Sequence, residues 1–212
     1  SLVDAAAFGA YEITDRSVRL VGQSLSPYLE KIKPPHLNRP HLTGSHVASG
    51  WFDEIPMWTF LWVSMAWEQY WNTGDVAALA DYYADVKECM RRSETFLTSR
   101  DLFDIPDVWN LVDWAAQDLD RDGEVISNTV LFAQALDCAA RMADVLQLQH
   151  DCEHYQALAT RLRAAVNQYG WSETHQGYVD TVRDEFAYQR YLTRAAQIGI
   201  SPVDYGAFQN KQ

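Results

Sequence analysis

The chain has 212 residues, of which 48% are hydrophobic and 22% charged, a composition typical of a folded domain with a substantial core. Its formal net charge of −12 argues against a nucleic-acid-binding protein, because phosphate backbones select positively charged surfaces. Aromatic residues make up 13% of the chain and eight of them are tryptophan, which fits either a large core or a sugar site where flat rings stack on pyranose faces.

The cysteine pattern predicts neither a disulfide framework nor a zinc site. Cys89, Cys138 and Cys152 are odd in number and far apart, so we expect core or half-buried thiols. Such thiols slightly favour the cytoplasm, although a removed signal peptide would leave secretion open. The most apolar stretch, 55–71, is short and interrupted by polar residues, and it predicts a buried helix and no membrane association.

Helical periodicity recurs along the whole chain. The predicted helices cover 13–32, 57–73, 76–97, 127–146, 151–169 and 185–198. Thr14 and Asp15 are candidate caps of the first helix, and Pro27 interrupts its pattern. The second helix is apolar on most of its circumference, which predicts burial on all sides. Gly74 and Asp75 predict a tight link to the third helix, and therefore an antiparallel hairpin.

Buried and half-exposed helices alternate in this pattern. It predicts an all-α fold of antiparallel helical hairpins that form either an open solenoid or a closed barrel. The connection over 33–50 is long, and such loops are uncommon in compact domains unless they are functional. Short extended pieces are expected around Phe103 and at 178–179. Residues 1–212 are expected to form one domain.

The segment Trp-Asn-Leu-Val-Asp-Trp at 109–114 is the strongest candidate for ligand binding. Asp113 lies between two tryptophans, where it is suited to accept hydrogen bonds from sugar hydroxyls while Trp109 or Trp114 stacks on the ring. The alternative is that Asp113 caps a helix and Trp114 belongs to the core. Another acidic pair, Asp53 and Glu54, is suited to acid/base work, although an interaction with the positive end of the following helix is favoured.

Metal sites are not predicted. Asp118, Asp120, Asp122 and Gly123 have the spacing of the first half of a calcium loop, but Thr129 stands where the bidentate glutamate belongs. A solvated acidic turn is therefore favoured. The histidines lack metal-ligand spacing and are expected at the surface, including the pairs at 36 and 41 and at 150 and 154. No cofactor is expected.

Five motifs together resemble the catalytic domain of bacterial α-L-rhamnosidases over roughly 11–200. They are Ile-Pro at 55–56 before an aromatic helix, Tyr-Trp-Asn-Thr-Gly-Asp at 70–75, the 109–114 segment, Asn-Thr at 128–129 before an alanine-rich helix, and Trp171 with Gly-Tyr-Val-Asp at 177–180. The 109–114 motif is the most specific of these, whereas Tyr-x-x-Thr-Gly-Asp is shared by many α/α-barrel enzymes.

The resemblance implies a six-hairpin (α/α) barrel and an inverting hydrolase that removes terminal rhamnose from a rhamnosyl glycoside. It carries Asp113 and Trp114 over as pocket residues. The full candidate set for substrate binding is Asp113, Trp114, Trp109, Trp58, Trp51 and His46. Asp53 and Glu54 are the candidate catalytic pair within this chain and are implied only as neighbours of the pocket.

The chain also departs from the family pattern. The family's general acid lies in a segment that would precede Ser1 and its general base beyond Gln212, and Met57 stands where the family usually has Asp. At two helices per ~40–47 residues, the chain is expected to hold half to two-thirds of a barrel. Such a fragment would expose part of its inner helix ring, dissolve poorly, or pair with missing barrel segments or with another copy. The alternatives are a non-catalytic carbohydrate-binding or scaffold module, or another barrel enzyme such as an unsaturated-glucuronyl hydrolase.

Overall fold

The computed structural model describes residues 7, 9–26, 31, 33–45, 52–111, 123–173 and 176–182. Its helices in these ranges are α1 (Glu12–Gln23), α2 (Pro56–Thr73), α3 (Val76–Glu94), α4 (Ile126–Val145) and α5 (Gln149–Ala165), which a π-helical turn (Val166–Gly170) extends. The strands are β1 (Glu124–Val125), β2 (Trp171–Ser172), β3 (Gly177–Tyr178) and β4 (Thr181–Val182). Antiparallel pairs join β1 to β4 and β2 to β3. The all-α prediction is confirmed, as is the extended piece at 178; Phe103 forms a bridge with Leu97.

The link between α2 and α3 is as short as the sequence predicts. Gly74 ends α2 in the left-handed region, at φ 67°, where a residue without a Cβ has no steric cost. Asp75 then caps α3, because its side chain accepts a hydrogen bond of 3.0 Å from the Ala78 N–H. The link from α4 to α5 is also short, with three residues instead of two, and turns at Gln147, at φ 59°. Both pairs are therefore antiparallel hairpins.

Helices α2 and α4 are parallel neighbours and form the centre of the fold. Phe60 stacks on Phe132 with ring centroids 5.0 Å apart, and further along the pair Ser64 Oγ lies 3.8 Å from Cys138 Sγ. Residue numbers rise together along the two helices, so both begin at the same end. They form the inner layer, and the more polar α3 and α5 form the outer layer.

Helix α1 is shorter than the sequence predicts. It ends at Gln23 instead of continuing to 32. The Ser24 hydroxyl turns back to the Val21 carbonyl at 2.5 Å and accepts a hydrogen bond from the Gly44 N–H. Pro27 also disfavours helical geometry in the residue before it. The predicted caps are wrong as well, because the helix starts after Tyr11 without a side-chain cap.

The prediction that α2 is buried on all sides is wrong for one face. Trp58, Leu61 and Trp71 are 41%, 44% and 74% exposed, and Val130 on α4 is 48% exposed. The opposite side of α2 is fully packed, with Trp62 Nε1 donating to the Val18 carbonyl at 2.9 Å. Apolar side chains on this face of α2 are therefore only partly covered by the described residues.

The three cysteines are buried free thiols, as expected. Among the described residues, no helix has the length and apolar character needed to cross a membrane. In the same part of the chain, His, Cys, Asp and Glu side chains do not gather into a group of three that could hold a metal ion. The predicted helix at 185–198 lies outside the described residues.

Candidate active-site face

Two long connections in the described part of the chain lead into the starts of inner helices. The described part of the first, 33–45 with 52–55, precedes α2, and 95–111 with 123–125 precedes α4. Because α2 and α4 are parallel, both connections lie at the same end of the fold. The short hairpin links lie at the other end. Loop-borne side chains at one end of a rigid helical scaffold are where binding and catalytic groups concentrate.

Glu54, the second half of the candidate catalytic pair, is buried at the start of α2 with 3% of its surface exposed. Its Oε2 accepts a 2.7 Å hydrogen bond from Arg39 Nη2, and its Oε1 accepts a 2.5 Å bond from the Leu42 N–H. The carboxylate also lies near the N-terminal end of the helix, where negative charge is favoured. These contacts make Glu54 an anchor between the first connection and α2.

Short polar contacts fix the described parts of the first connection. Thr43 Oγ1 and Thr59 Oγ1 lie 2.8 Å apart at the first turn of α2. Ser45 donates from its N–H to the Asp53 carbonyl and from its hydroxyl to Asp53 Oδ2, both at 3.0 Å. Asp53 is half-buried, so it is the more accessible carboxylate of the candidate pair. These contacts attach the parts 33–45 and 52–55 to each other and to α2.

His41 corrects the expectation of surface histidines. It is fully buried, at 0% exposure, whereas His36, His150 and His154 are exposed. The His41 ring and carbonyl lie within 3.3 Å of Arg92 Nη1, and its Nδ1 lies 2.9 Å from the Leu42 carbonyl. The same guanidinium donates to the Leu25 carbonyl at 3.0 Å. The imidazole therefore packs the connection onto α3 and lies inside the fold.

Arg39 joins the first connection to the second. Besides Glu54, its guanidinium donates to the carbonyls of Pro106 at 2.9 Å and Asp107 at 3.3 Å. The side chain is only 9% exposed, and its charge lies over the Phe96 ring at 5.7 Å from the centroid. A planar guanidinium with five donors suits such a junction, because one group bonds a carboxylate and two carbonyls at once.

Trp109 lies immediately after this junction and is half-buried. The next residue, Asn110, accepts a 2.8 Å hydrogen bond at Oδ1 from Asn128 Nδ2, on the first turn of α4. Trp58, on the first turn of α2, is 41% exposed. Two predicted binding tryptophans therefore belong to the face where the inner helices begin. A partly exposed indole presents a flat apolar ring on which a sugar can stack. The Nε1 atom of Trp109 is itself buried, so stacking is the interaction that this indole offers.

The start of α4 repeats the arrangement at the start of α2. Glu124 is 3% exposed and pairs with Arg100, whose Nε donates to Oε1 at 3.1 Å. Thr98 Oγ1 donates to the same oxygen at 2.5 Å. Strand β1, which contains Glu124, also pairs with β4, so the connection after α5 is attached at the same place. Helices α2 and α4 thus each begin beside a buried glutamate that pairs with an arginine, although the Arg100 side chain is 30% exposed and that of Arg39 only 9%.

Only some of the other residues singled out in the sequence belong to the part of the chain that the structure describes. Thr129 is buried and its hydroxyl accepts a 3.0 Å hydrogen bond from the Phe103 N–H, which suits a helix start. Gly123 has a φ of 119°, a left-handed conformation that favours glycine. Asp113, Trp114, Trp51 and His46 lie outside the described residues, as do the acidic-turn residues Asp118, Asp120 and Asp122.

Sequence reasoning missed Arg39, Arg100, Glu124 and Asn128 as parts of this face. The sequence gives a weak indication for Glu54 and Glu124, since each lies two positions before the first residue of the following helix. Arg39 is fifteen residues from Glu54, and Arg100 is twenty-four residues from Glu124. The local sequence around each arginine does not indicate that it pairs with a buried carboxylate. Only the folded connections bring these charges together.

Comparison with known proteins agrees with this geometry. Residues 17–198 match the family described as the bacterial alpha-L-rhamnosidase 6 hairpin glycosidase domain. The chain belongs to this family. It is therefore a rhamnosidase-like glycoside hydrolase domain, and its helical hairpins are part of the six-hairpin (α/α) fold. None of the curated proteins compared with the chain matches it.

Two solved structures show the same fold. The crystal structure of a GH78 family rhamnosidase of Bacillus sp. GL1 superposes with a TM-score of 0.73 at 26% identity, covering 84% of this chain and 17% of that one. A rhamnosidase from Klebsiella oxytoca with rhamnose bound superposes with a TM-score of 0.64 at 14% identity, covering 87% of this chain and 34% of that one. The chain thus spans about a sixth and a third of their respective lengths.

Proposed function

We propose that this chain forms one wall of the sugar pocket of an inverting α-L-rhamnosidase that removes terminal rhamnose from a glycoside. The observation that carries the proposal is the attachment of the Trp109 segment to the starts of both inner helices, through Arg39 on one side and Asn128 on the other. This attachment holds a half-buried indole at the end of the fold where the long connections gather.

The binding roles follow from side-chain chemistry. Trp109, Trp114, Trp58 and Trp51 offer flat rings for the apolar face of rhamnose, whose methyl group increases the area that stacks. Asp113 accepts hydrogen bonds from ring hydroxyls, and His46 donates or accepts at the pocket margin. Rhamnose is uncharged, so a chain with a net charge of −12 binds it without the electrostatic penalty that an acidic sugar would meet.

The reaction needs two carboxyl groups about 6.5–9.5 Å apart, one protonating the leaving oxygen and the other activating water on the opposite face. Asp53 is the candidate from this chain for such a role or for a supporting one, since it is less buried than Glu54. The contacts of Glu54 with Arg39 and Leu42 favour a role in holding the pocket wall.

The test is hydrolysis of p-nitrophenyl α-L-rhamnopyranoside by this chain joined to the barrel segments expected to carry the general acid and the general base, with the anomer of the released rhamnose followed by proton NMR. Inversion to the β-anomer supports the proposal, and retention contradicts it. Asp113→Ala is the matched variant and should weaken substrate binding. Rhamnose binding without hydrolysis would favour the non-catalytic carbohydrate-binding module instead. Cleavage of an unsaturated glucuronide in preference to the rhamnoside would favour a glucuronyl hydrolase. The net charge of −12 argues against this outcome, because it disfavours binding of an acidic sugar.

A further inference from the structure

We propose that Arg39 is a positioning residue that sets the place of the Trp109 indole in the sugar pocket, an inference that rests on the proposed function. Arg39 belongs to the connection before α2, whereas Trp109 belongs to the connection before α4. The arginine therefore acts across two segments that are 70 positions apart in sequence.

One hydrogen bond of the Arg39 side chain, from Nη1 to the Pro40 carbonyl at 3.0 Å, stays within its own connection. Its other hydrogen bonds form two groups that act on different parts of the fold. The bond from Nη2 to Glu54 Oε2, at 2.7 Å, neutralises a buried carboxylate and anchors the guanidinium at the start of α2. The bonds to the carbonyls of Pro106 and Asp107 contribute little to charge balance, and they fix the backbone just before Trp109. A neutralising role alone would need only the first group.

The backbone just before Trp109 has an unusual conformation. Asp107 adopts a φ of 56°, in the left-handed region that few residues other than glycine, asparagine and aspartate adopt. Its carbonyl accepts from Arg39, and on the other side of Trp109 the Asn110 side chain accepts from Asn128. Trp109 is thus held from both sides, by groups that belong to the two inner-helix starts. Moving either support displaces the indole relative to α2 and α4.

Arg39→Lys is the variant that separates the two roles. A lysine ammonium keeps a positive charge beside Glu54, but as a compact point charge it does not reproduce the planar fork that bonds a carboxylate and two carbonyls at once. Arg19→Lys is the control, because the Arg19 guanidinium also bonds two separate partners, Asp15 on α1 and Asp81 on α3, both at 3.0 Å. Asp81 lies in the second turn of α3, at the end of the fold opposite the long connections.

The experiment measures two properties of each variant. Incorporation of 5-fluorotryptophan gives a fluorine NMR resonance for Trp109, assigned by its loss in Trp109→Phe, and L-rhamnose titration gives an affinity. In Arg39→Lys the Trp109 resonance should shift or broaden and the affinity should fall by about tenfold or more, as misplacement of a binding group produces. In Arg19→Lys both should remain within about twofold of the parent, whatever happens to the melting temperature.

The inference is overturned if Arg39→Lys leaves the Trp109 resonance and the rhamnose affinity unchanged, or if Arg19→Lys alters both as strongly. If Arg39→Lys does not fold, Arg39→Met combined with Glu54→Met replaces it, because that double variant leaves no uncompensated buried charge. Absence of rhamnose binding by the parent chain would overturn the proposed function instead. The fluorine resonance would then still decide whether Arg39 places Trp109.

Discussion

Glu54 and Glu124 occupy equivalent positions at the starts of two neighbouring inner helices. Each lies two residues before the first helical residue, is 3% exposed, and pairs with an arginine from the preceding connection. Each also accepts a further hydrogen bond of 2.5 Å from that connection, from the Leu42 N–H or the Thr98 hydroxyl. The same arrangement of a buried glutamate and an arginine therefore attaches each of the two long connections to the inner helix that follows it.

The first prediction concerns the stability that this arrangement contributes. Glu54→Gln should destabilise the fold by about 3 kcal/mol, because it leaves the buried Arg39 charge without its partner. In a chain of this length that corresponds to a drop of about 6–12 °C in melting temperature. Arg39→Met should have an effect of similar size, and the two should be strongly non-additive in a double-mutant cycle measured by thermal unfolding.

A purely catalytic role for Glu54 predicts a different outcome. A carboxylate that only transfers protons would lose activity in Glu54→Gln with an unchanged melting temperature, and its coupling to Arg39 would be near zero. Asp53→Asn is the comparison, since Asp53 is half-buried and bonded to Ser45. We expect this variant to be destabilised less than Glu54→Gln.

The second prediction concerns the contact between α1 and α3. A Cβ added at Gly22 would lie 2.4 Å from Asp85 Oδ2 and 3.1 Å from Asp85 Cβ, so the side chain has little room to move away. Gly22→Ala should therefore destabilise by about 1–3 kcal/mol despite the better helix propensity of alanine. Chemical denaturation of this variant and of Gly22→Ala with Asp85→Ala provides the measurement. Failure of the second change to restore stability would contradict the steric explanation.

The third prediction concerns the pH dependence of stability through the same aspartate. Burial raises the pKa of the Asp85 carboxyl above its usual value of 3.8. A raised folded-state pKa means that Asp85 favours the folded state at low pH and that this contribution is lost as the pH rises through the folded-state pKa. Asp85→Asn should therefore raise the melting temperature at pH 7 and leave it unchanged near pH 3.

The control for this pH experiment is Asp144→Asn, at an exposed position on α4. Its melting temperature should follow that of the parent chain at both pH values. A gain in Asp85→Asn that persists undiminished at pH 3 would mean that packing or hydrogen bonding, and not the cost of burying the charge, explains the effect.

The fourth prediction concerns the exposed face of α2. Trp58, Leu61 and Trp71 form an apolar surface of the kind that promotes association. The chain should self-associate, and Leu61→Gln with Trp71→Gln should shift it towards monomer by light scattering coupled to size exclusion. Ile13→Gln is the matched control, since Ile13 is 61% exposed on α1 and outside this face. A monodisperse parent chain that melts cooperatively would contradict the prediction.

The sequence predicts the helices well where local signals decide them. Gly74 and Asp75 are a stop and a cap whose chemistry is local, and both act as expected. The end of α1 depends instead on a hydrogen bond between Ser24 and Gly44, a contact twenty residues apart that no local pattern reveals. The exposed face of α2 is missed for a related reason, because an apolar helix looks the same whether or not its neighbours are present.

The sequence indicates which residues belong to the candidate site, but it does not indicate how these residues contact one another. Trp109 and Trp58 are recognisable from their motifs, and the structure places both near the starts of inner helices. Glu54 is recognisable as well, but its burial against Arg39 depends on how two connections fold over each other. The same holds for His41, whose partner Arg92 lies on α3. The motifs therefore identify candidate residues, whereas the contacts that position these residues join parts of the chain that are distant in sequence.

The most direct test of the sugar-pocket assignment is a titration of L-rhamnose monitored by tryptophan fluorescence, with D-glucuronate as the competing sugar. We predict a saturable change with L-rhamnose that is reduced in Trp109→Phe and lost in Asp113→Ala, and no comparable change with D-glucuronate. An absence of change with the parent chain, or an equal response from Asp113→Ala, would contradict the assignment.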